Sequence, residues 1–258
     1  MLDEFKLTGA LPDLSAPLSS VTPLMAAIGR PDFVAAAVRF AHALTGADFA
    51  SLYCEGDRDA PLLMGTASQL GQRRADRAAE GYGRHWAQDR NARLLLGEEG
   101  DGDFFTHHEA GDLTSFPYRR DCYDLPGITS RVSLVRRRAG FGLAVSLYSS
   151  TEFGTFPRTA RDGLIATMAT IMVAAERHVG QTLKEAEAHD QDVQARLALN
   201  HPSLTKRERE VAAMTIKGRT AAEIAEILGV AETTVITHRK KAYKRMNVTS
   251  MRELLTRI

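Results

Sequence analysis

The chain of 258 residues has only two cysteines, Cys54 and Cys122, and one tryptophan, Trp86. Two thiols cannot form a disulfide framework, and such sparse use points to a reducing compartment. No apolar run reaches the roughly 18–20 residues needed to span a bilayer; the longest, Gly163 to Ala175, falls short. The start, Met1-Leu2-Asp3-Glu4-Phe5-Lys6, has no basic stretch leading into an apolar one and reads as no secretory signal. A cytoplasmic location and no membrane partner are expected. An excess of one charge sign is also missing, with 33 basic against 32 acidic side chains. Taken whole, that balance argues against a polyanionic partner. With 44% hydrophobic and 25% charged residues, the chain has the composition of a folded protein. Its length suits two domains.

The charge is not evenly spread. Residues 201–258 hold twelve Lys/Arg against six acids, a local balance of +6 that leaves −5 for the remainder. A basic module joined to an acidic domain with another task fits this asymmetry, although a solvated basic helix surface fits it too.

Residues 1–30 are rich in Pro, Ser and Leu without a period and read as a poorly ordered arm. From Pro31, Phe33, Ala37, Phe40, Ala41 and Leu44 recur at helical spacing, and Gly46 can end that helix. Phe49–Cys54 and Pro61–Gly65 read as strands around a turn at Gly56-Asp57-Arg58-Asp59. Ala75, Ala79, Tyr82 and Trp86 share one face of a second helix, and 97–130 reads as loops with short helical pieces. Arg131 to Arg137 alternates, Ala139-Gly140 turns the chain, and Phe141, Leu143, Val145 and Leu147 fall on one strand face. A long helix starts near Pro157. Its 3,4-spaced Ile165, Met168, Met172, Ala175, Val179, Thr182 and Ala186 suit a coiled-coil seam, or, over the first half, a cover for the sheet. His201-Pro202-Ser203 breaks it.

Four helices fit the C-terminal module. Thr205 with Glu208, and Thr220 with Glu223, make two capping boxes. Val211, Met214 and Thr215 face inward on the first helix, and Ile224, Ile227 and Leu228 on the second. After Gly229 a third helix, about Glu232 to Met246, has Val235, Ala242 and Met246 as its core stripe. Ser250 to Glu253 caps a short fourth helix carrying Leu254 and Leu255. Two short helices meeting at a glycine turn, the second one basic, form a helix-turn-helix.

Leu204-Thr205-Lys206-Arg207-Glu208-Arg209-Glu210-Val211, Glu223-Ile224-Ala225, Leu228-Gly229-Val230, Thr233-Thr234-Val235, Thr237-His238 and Lys244-Arg245-Met246-Asn247-Val248 together resemble the LuxR-type (FixJ/GerE) DNA-binding domain. Two positions depart from it: Ala231 replaces the usual capping Ser, and Ile236 a frequent Lys. The resemblance implies that Ile236, Thr237 and Lys240 face bases while Thr234, His238, Arg239 and Lys241 reach phosphates. Glu232, Thr233 and Lys244 also lie away from the core stripe, and Thr220, Thr233 and Lys244 join the expected DNA-contacting set. His238 as a packing residue is the main competing reading. A sigma-factor region four has a related motif but requires a promoter-melting helical domain upstream, which the strand-rich residues 47–150 do not supply.

For the N-terminal domain, no acidic cluster with a phosphoacceptor Asp stands in parallel β/α order, so a receiver is not expected. The order helix, two strands, helix, loops, hairpin, long helix resembles the GAF/PAS-like autoinducer-binding domains of LuxR-type regulators. Tyr82 to Asn91 echoes their aromatic stretch ending in Asp-Pro, with Arg90 in place of the Pro. The resemblance implies that Asp89 accepts a hydrogen bond from an acyl-homoserine lactone amide. Tyr53, Tyr82, Trp86, Tyr118 and Tyr123 can line an apolar pocket with polar handles, or can be half-buried core. Cys54 and Cys122 read as small hydrophobes. His107-His108-Glu109 invites a metal, but adjacent His side chains diverge and no second pair stands at ligand spacing.

These features predict an α+β chain. Residues 1–30 form an arm, 31–180 a GAF/PAS-like α/β/α sensor domain on an antiparallel sheet, 181–203 a helical linker, and 204–258 an all-α four-helix LuxR-type DNA-binding domain. The expected protein is a dimeric, non-enzymatic transcription regulator without cofactor or metal. Its expected partners are operator DNA, a small apolar-polar signal molecule as in quorum sensing, and RNA polymerase. In the alternative, the N-terminal domain binds a partner protein instead of a small molecule. An enclosed apolar volume beside Trp86 favours the first reading, and a solid core there the second.

Overall fold

The computed structural model describes residues 3–7, 18–56, 60–250 and 253. It divides into two units, Met1–Gln181 and Thr182–Ile258.

The first unit is built on one antiparallel six-stranded sheet in the order β1-β4-β5-β6-β2-β3. The strands are β1 Asp3–Lys6, β2 Phe49–Glu55, β3 Pro61–Ser68, β4 Gly102–Glu109, β5 Ile128–Arg138 and β6 Phe141–Ser150. Alternation sorts each strand between two faces. On one face, Leu52, Cys54, Val132, Leu134, Leu143, Val145 and Leu147 meet helices α1 Leu18–Ala26, α2 Phe33–Thr45 and α6 Arg161–Asn200 in the main apolar core. The other face carries α3 Gln72–His85, α4 Arg90–Leu95 and α5 Phe116–Arg119, the last continued by a π turn over Arg120–Asp124. Helices on both faces of an antiparallel sheet give the α/β/α arrangement expected of a GAF/PAS-like sensor domain.

The seam residues Ile165, Met168, Met172, Ala175 and Val179 of α6 are all buried in that core, so this part of the helix covers the sheet. The side chain of Ala186 lies outside the described residues. Within α3, a Cβ on Gly81 would come within 2.6 Å of the Asp121 carbonyl oxygen. The helix can approach the π turn only because that position has no side chain.

Two expectations need correction. The segment 1–30 is not a loose arm where it is described: β1 pairs with β4, and Leu24 of α1 is fully buried. Residues 97–130 are not all loop, because β4 lies between β1 and β5. Its sequence, with Gly, Asp and two His, lacks apolar alternation, and pairing on both edges stabilises it in place of propensity. The turn residues Asp57, Arg58 and Asp59 lie outside the described residues.

In the second unit, α7 Lys206–Ile216 and α9 Glu232–Met246 pack with Val193 and Leu197 of α6 and with Val248, and α8 Ala221–Leu228 packs on α7 and α9 through Ile224 and Ala225. Both capping boxes form: Thr205 and Thr220 side chains accept from the Glu208 and Glu223 backbone amides, and each Glu carboxylate returns to its cap residue's N–H. Gly229 ends α8 in the left-handed region (φ 61°), which lets the chain turn sharply into α9. Ile227, expected inside, is 50% exposed. Of the fourth helix only Glu253 is described; Leu254 and Leu255 lie outside the described residues.

Candidate functional sites

On α9, Val235, Ala242 and Met246 are buried as the core stripe requires. Thr233, Thr237, Lys240, Lys241 and Lys244 are exposed, and Thr234, Ile236, His238 and Arg239 half-buried. Thr220 is exposed at the start of α8. Thr237 Oγ1 donates back to the Thr233 carbonyl at 2.8 Å. Its hydroxyl is therefore committed to the helix, leaving the methyl as its outward feature.

Seven cations of this unit fall into two groups. Arg207, Arg219 and Arg245 are neutralised by Glu210, Glu223 and Glu208. Arg239, Lys240, Lys241 and Lys244 form no ion pair among the described residues, and all four lie on α9. One helix thus presents four uncompensated cations, as a phosphate-binding surface requires. His238 is partly turned inward. Its Nδ1 is buried without a hydrogen-bond partner among the described residues. Ala231 stands at the N-cap of α9 with no side-chain cap, as its identity dictates.

The second site is the helix-covered polar face of the sheet in the first unit. Three cross-strand rows build it. The middle row is Thr106, Ser133, Ser146, Ser51 and Thr66, neighbours in register on five strands. Beside it runs Phe104, Val135, Ala144 and Tyr53, and on the other side His108, Arg131, Tyr148 and Phe49. The short hydroxyl side chains make a low floor, and the larger residues make its walls. Ser133 Oγ meets Ser146 Oγ, and Ser51 Oγ meets Tyr148 Oη, each at 2.8 Å.

At the centre stand Asp89 and Arg131. Asp89 caps α4, accepting from the Asn91 amide, and takes Arg131 Nη1 at 2.9 Å and Nη2 at 2.6 Å. Burial pushes the Asp89 carboxyl up, and the Arg131 guanidinium more than reverses that, holding it below the usual carboxylate range. Burial, together with Arg131, drives His108 down to about 3, so the imidazole is neutral, sharing a 2.6 Å hydrogen bond with the Tyr123 hydroxyl. Burial also raises the Tyr53, Tyr82, Tyr118 and Tyr123 hydroxyls, which stay protonated as donors. It pushes the Cys122 thiol up to about 12, so this thiol is no nucleophile.

Four of the six expected ligand residues come together. Tyr53, Tyr82, Tyr118 and Tyr123 line a cavity of about 20 Å³ with Arg131 and Tyr148. A second, of about 10 Å³, adjoins it between Tyr53, Tyr82, Asp89, Asn91 and Arg131. Both hold little more than a water. Asp89, Tyr118 and His108 also border a more open cleft of about 210 Å³. Trp86 is half-buried in the 3₁₀ turn Trp86–Gln88 and lines none of these, so the enclosed volume is not beside it. Asp89 lines the site but is already engaged by Arg131. Arg131, Tyr148, Asn91 and His108 were missed. The one available signal was Arg131-Val132-Ser133-Leu134, where apolar residues on one face leave a polar opposite face on a strand flanked by others.

Residues 202–258 match the family model described as "Bacterial regulatory proteins, luxR family", and the C-terminal unit carries a LuxR-type helix-turn-helix domain. Among curated proteins, none matches the chain. Among solved structures, Escherichia coli SdiA is similar at 15% identity over 92% of this chain and 94% of that one, with a TM-score of 0.42. The N-acylhomoserine lactone dependent LuxR family transcription factor CepR2 from Burkholderia cenocepacia is similar at 15% identity over 65% and 97%, TM-score 0.47. The response regulator StyR is 32% identical over 34% of this chain and 43% of that one, TM-score 0.22. With TM-scores below 0.5, these likenesses carry no inference about ligand or partner.

Proposed function

We propose that this chain is a sequence-specific DNA-binding transcription regulator that acts as a dimer. The observation that carries the reading is the set of unpaired cations, Arg239, Lys240, Lys241 and Lys244, on one helix of a LuxR-type helix-turn-helix. In this reading α9 enters the major groove. Ile236, Thr237 and Lys240 meet base edges, and Thr220, Thr233, Thr234, His238, Arg239, Lys241 and Lys244 position the helix or contact phosphates. Its chemistry is binding, with no catalytic step.

The N-terminal unit regulates this binding through a small molecule held at the Tyr53, Tyr82, Tyr118, Tyr123 and Asp89 face. The buried ionic and tyrosine cluster supports this, since a purely structural sheet face needs no such concentration of polar groups. Helix α6 supplies core residues to each unit, Met168 and Met172 to the first and Val193 and Leu197 to the second. A ligand that favours one state of the first unit therefore has a covalent route to the second.

Selection of bound fragments from random duplex DNA by the full chain tests the main reading. Recovery of two related half-sites about one helical turn, or a multiple of it, apart is the expected result. Enrichment of no sequence would refute it.

A further inference from the structure

Two residues that line the smaller tyrosine-bordered cavity each hold a buried donor with no acceptor among the described residues. Arg131 commits Nη1 and Nη2 to Asp89, while its Nε is buried and unpartnered. Asn91 Oδ1 accepts from Thr106 Oγ1 at 2.9 Å, and its Nδ2 is likewise buried without a partner. Both residues line the same cavity, and they are only 3% and 4% exposed. Unpaired buried donors are rare, and each marks a place where an acceptor belongs.

The local charge restricts that acceptor. Asp89 and Arg131 neutralise each other, and His108 is uncharged. An anionic ligand would crowd a second negative group onto Arg131 and bury one charge in excess. A cation would leave both donors unmet and set a like charge beside the guanidinium. Only an uncharged acceptor satisfies both N–H groups without burying net charge. Besides Asp89 and Ser146, the other walls are Tyr53, Tyr82, Tyr148, Leu95 and Ala144, which offer ring and apolar surfaces to a flat molecule.

We propose that this cavity takes an uncharged, planar molecule whose carbonyl-type oxygen accepts from Arg131 Nε and Asn91 Nδ2. The proposal rests on the reading of the first unit as controlled by a small molecule, and it names the class. Tyr82, carried on α3 with its ring centroid 4.8 Å from that of Tyr53, is the side chain that must swing away to admit a ring.

Calorimetric titration of the full chain with 4-hydroxybenzamide, 4-hydroxybenzoate and 4-hydroxybenzylamine tests it, because the three share one ring and differ in charge. The amide is expected to bind tightest and the amine not at all. Asn91→Leu combined with Thr106→Val should weaken amide binding by about 3- to 10-fold. The wild-type order stands as a test even if that variant does not fold. Benzoate ahead of the amide, equal binding of all three, or no loss in the folded variant overturns the proposal. Native mass spectrometry of the chain from its own host separates the two levels. A charged co-purifying molecule overturns the ligand class and leaves small-molecule control standing, whereas a neutral carbonyl compound supports both. No molecule bound in either experiment overturns both.

Discussion

Asp89 and Arg131 meet through two charge-assisted hydrogen bonds of 2.9 and 2.6 Å, with both side chains 3% exposed and the two residues 42 positions apart in the chain. Such a pair stabilises little relative to well-packed apolar side chains, but breaking it strands a buried charge. Asp89→Asn should therefore destabilise the N-terminal unit by about 3–5 kcal/mol. Asp89→Leu with Arg131→Met should restore most of that loss. Urea unfolding of the full chain, followed by tyrosine near-ultraviolet circular dichroism, measures both. A single-variant loss near zero, like that of an exposed pair, would mean that water reaches the site.

A second prediction concerns pH. His108 titrates at about 3 in the folded chain, against about 6.5 for a free imidazole. Between those values the unfolded chain binds a proton that the folded chain does not. Its contribution is fully present above about pH 6.5 and is lost as pH falls, at up to about 1.4 kcal/mol per unit. Asp89, whose folded value is also lowered, adds a loss of the same sign only below about pH 4. His108→Gln, which can still accept from Tyr123, should flatten the stability profile between pH 4 and 6.5. An unchanged slope in that variant would assign the dependence to another group.

What could be read from the sequence follows from the range of the interactions involved. The β5–β6 hairpin was legible because alternation and Gly140, at φ 74°, are local signals. The caps of α7 and α8 were legible for the same reason, since Thr205 reaches Glu208 and Thr220 reaches Glu223 within one turn. Strand β4 was not, because its stability comes from β1 and β5 on either side. The tyrosines were identifiable as residue types, but the residue that organises them was not. Arg131 looked like one more arginine in a run with Arg136, Arg137 and Arg138, and only the fold sets it against Asp89. Ile227 fell on the expected helix face, yet it is half exposed, because the short α8 buries a narrower stripe than periodicity alone implies.

The uncapped start of α9 gives a third prediction. Ala231 has extended backbone (φ −70°, ψ 148°) of the kind a capping Ser adopts, and no side-chain acceptor serves the first turn. Ala231→Ser should stabilise the C-terminal unit by about 0.5–2 kcal/mol without altering its core. The midpoint of helix loss at 222 nm reports it. A lower midpoint would show that Ala231 makes packing contacts worth more than the cap.

The last prediction separates positioning from reading on α9. Lys241 is exposed and unpaired next to Lys240, and a single substitution can test each role. Lys241→Ala should weaken binding about equally on specific and random duplexes. It should also reduce the slope of log affinity against log salt by about 0.9, the signature of one released counterion. Lys240→Ala should instead relax preference at one base pair, by about 1–3 kcal/mol of discrimination, because a lysine facing guanine carries sequence information. Fluorescence anisotropy on the selected operator and its single-base variants, across a salt series, distinguishes the two. If Lys241→Ala leaves the salt slope unchanged, that side chain does not touch a phosphate. If both variants lose affinity without loss of discrimination, specificity must reside in Ile236 and Thr237, whose methyl groups can meet thymine.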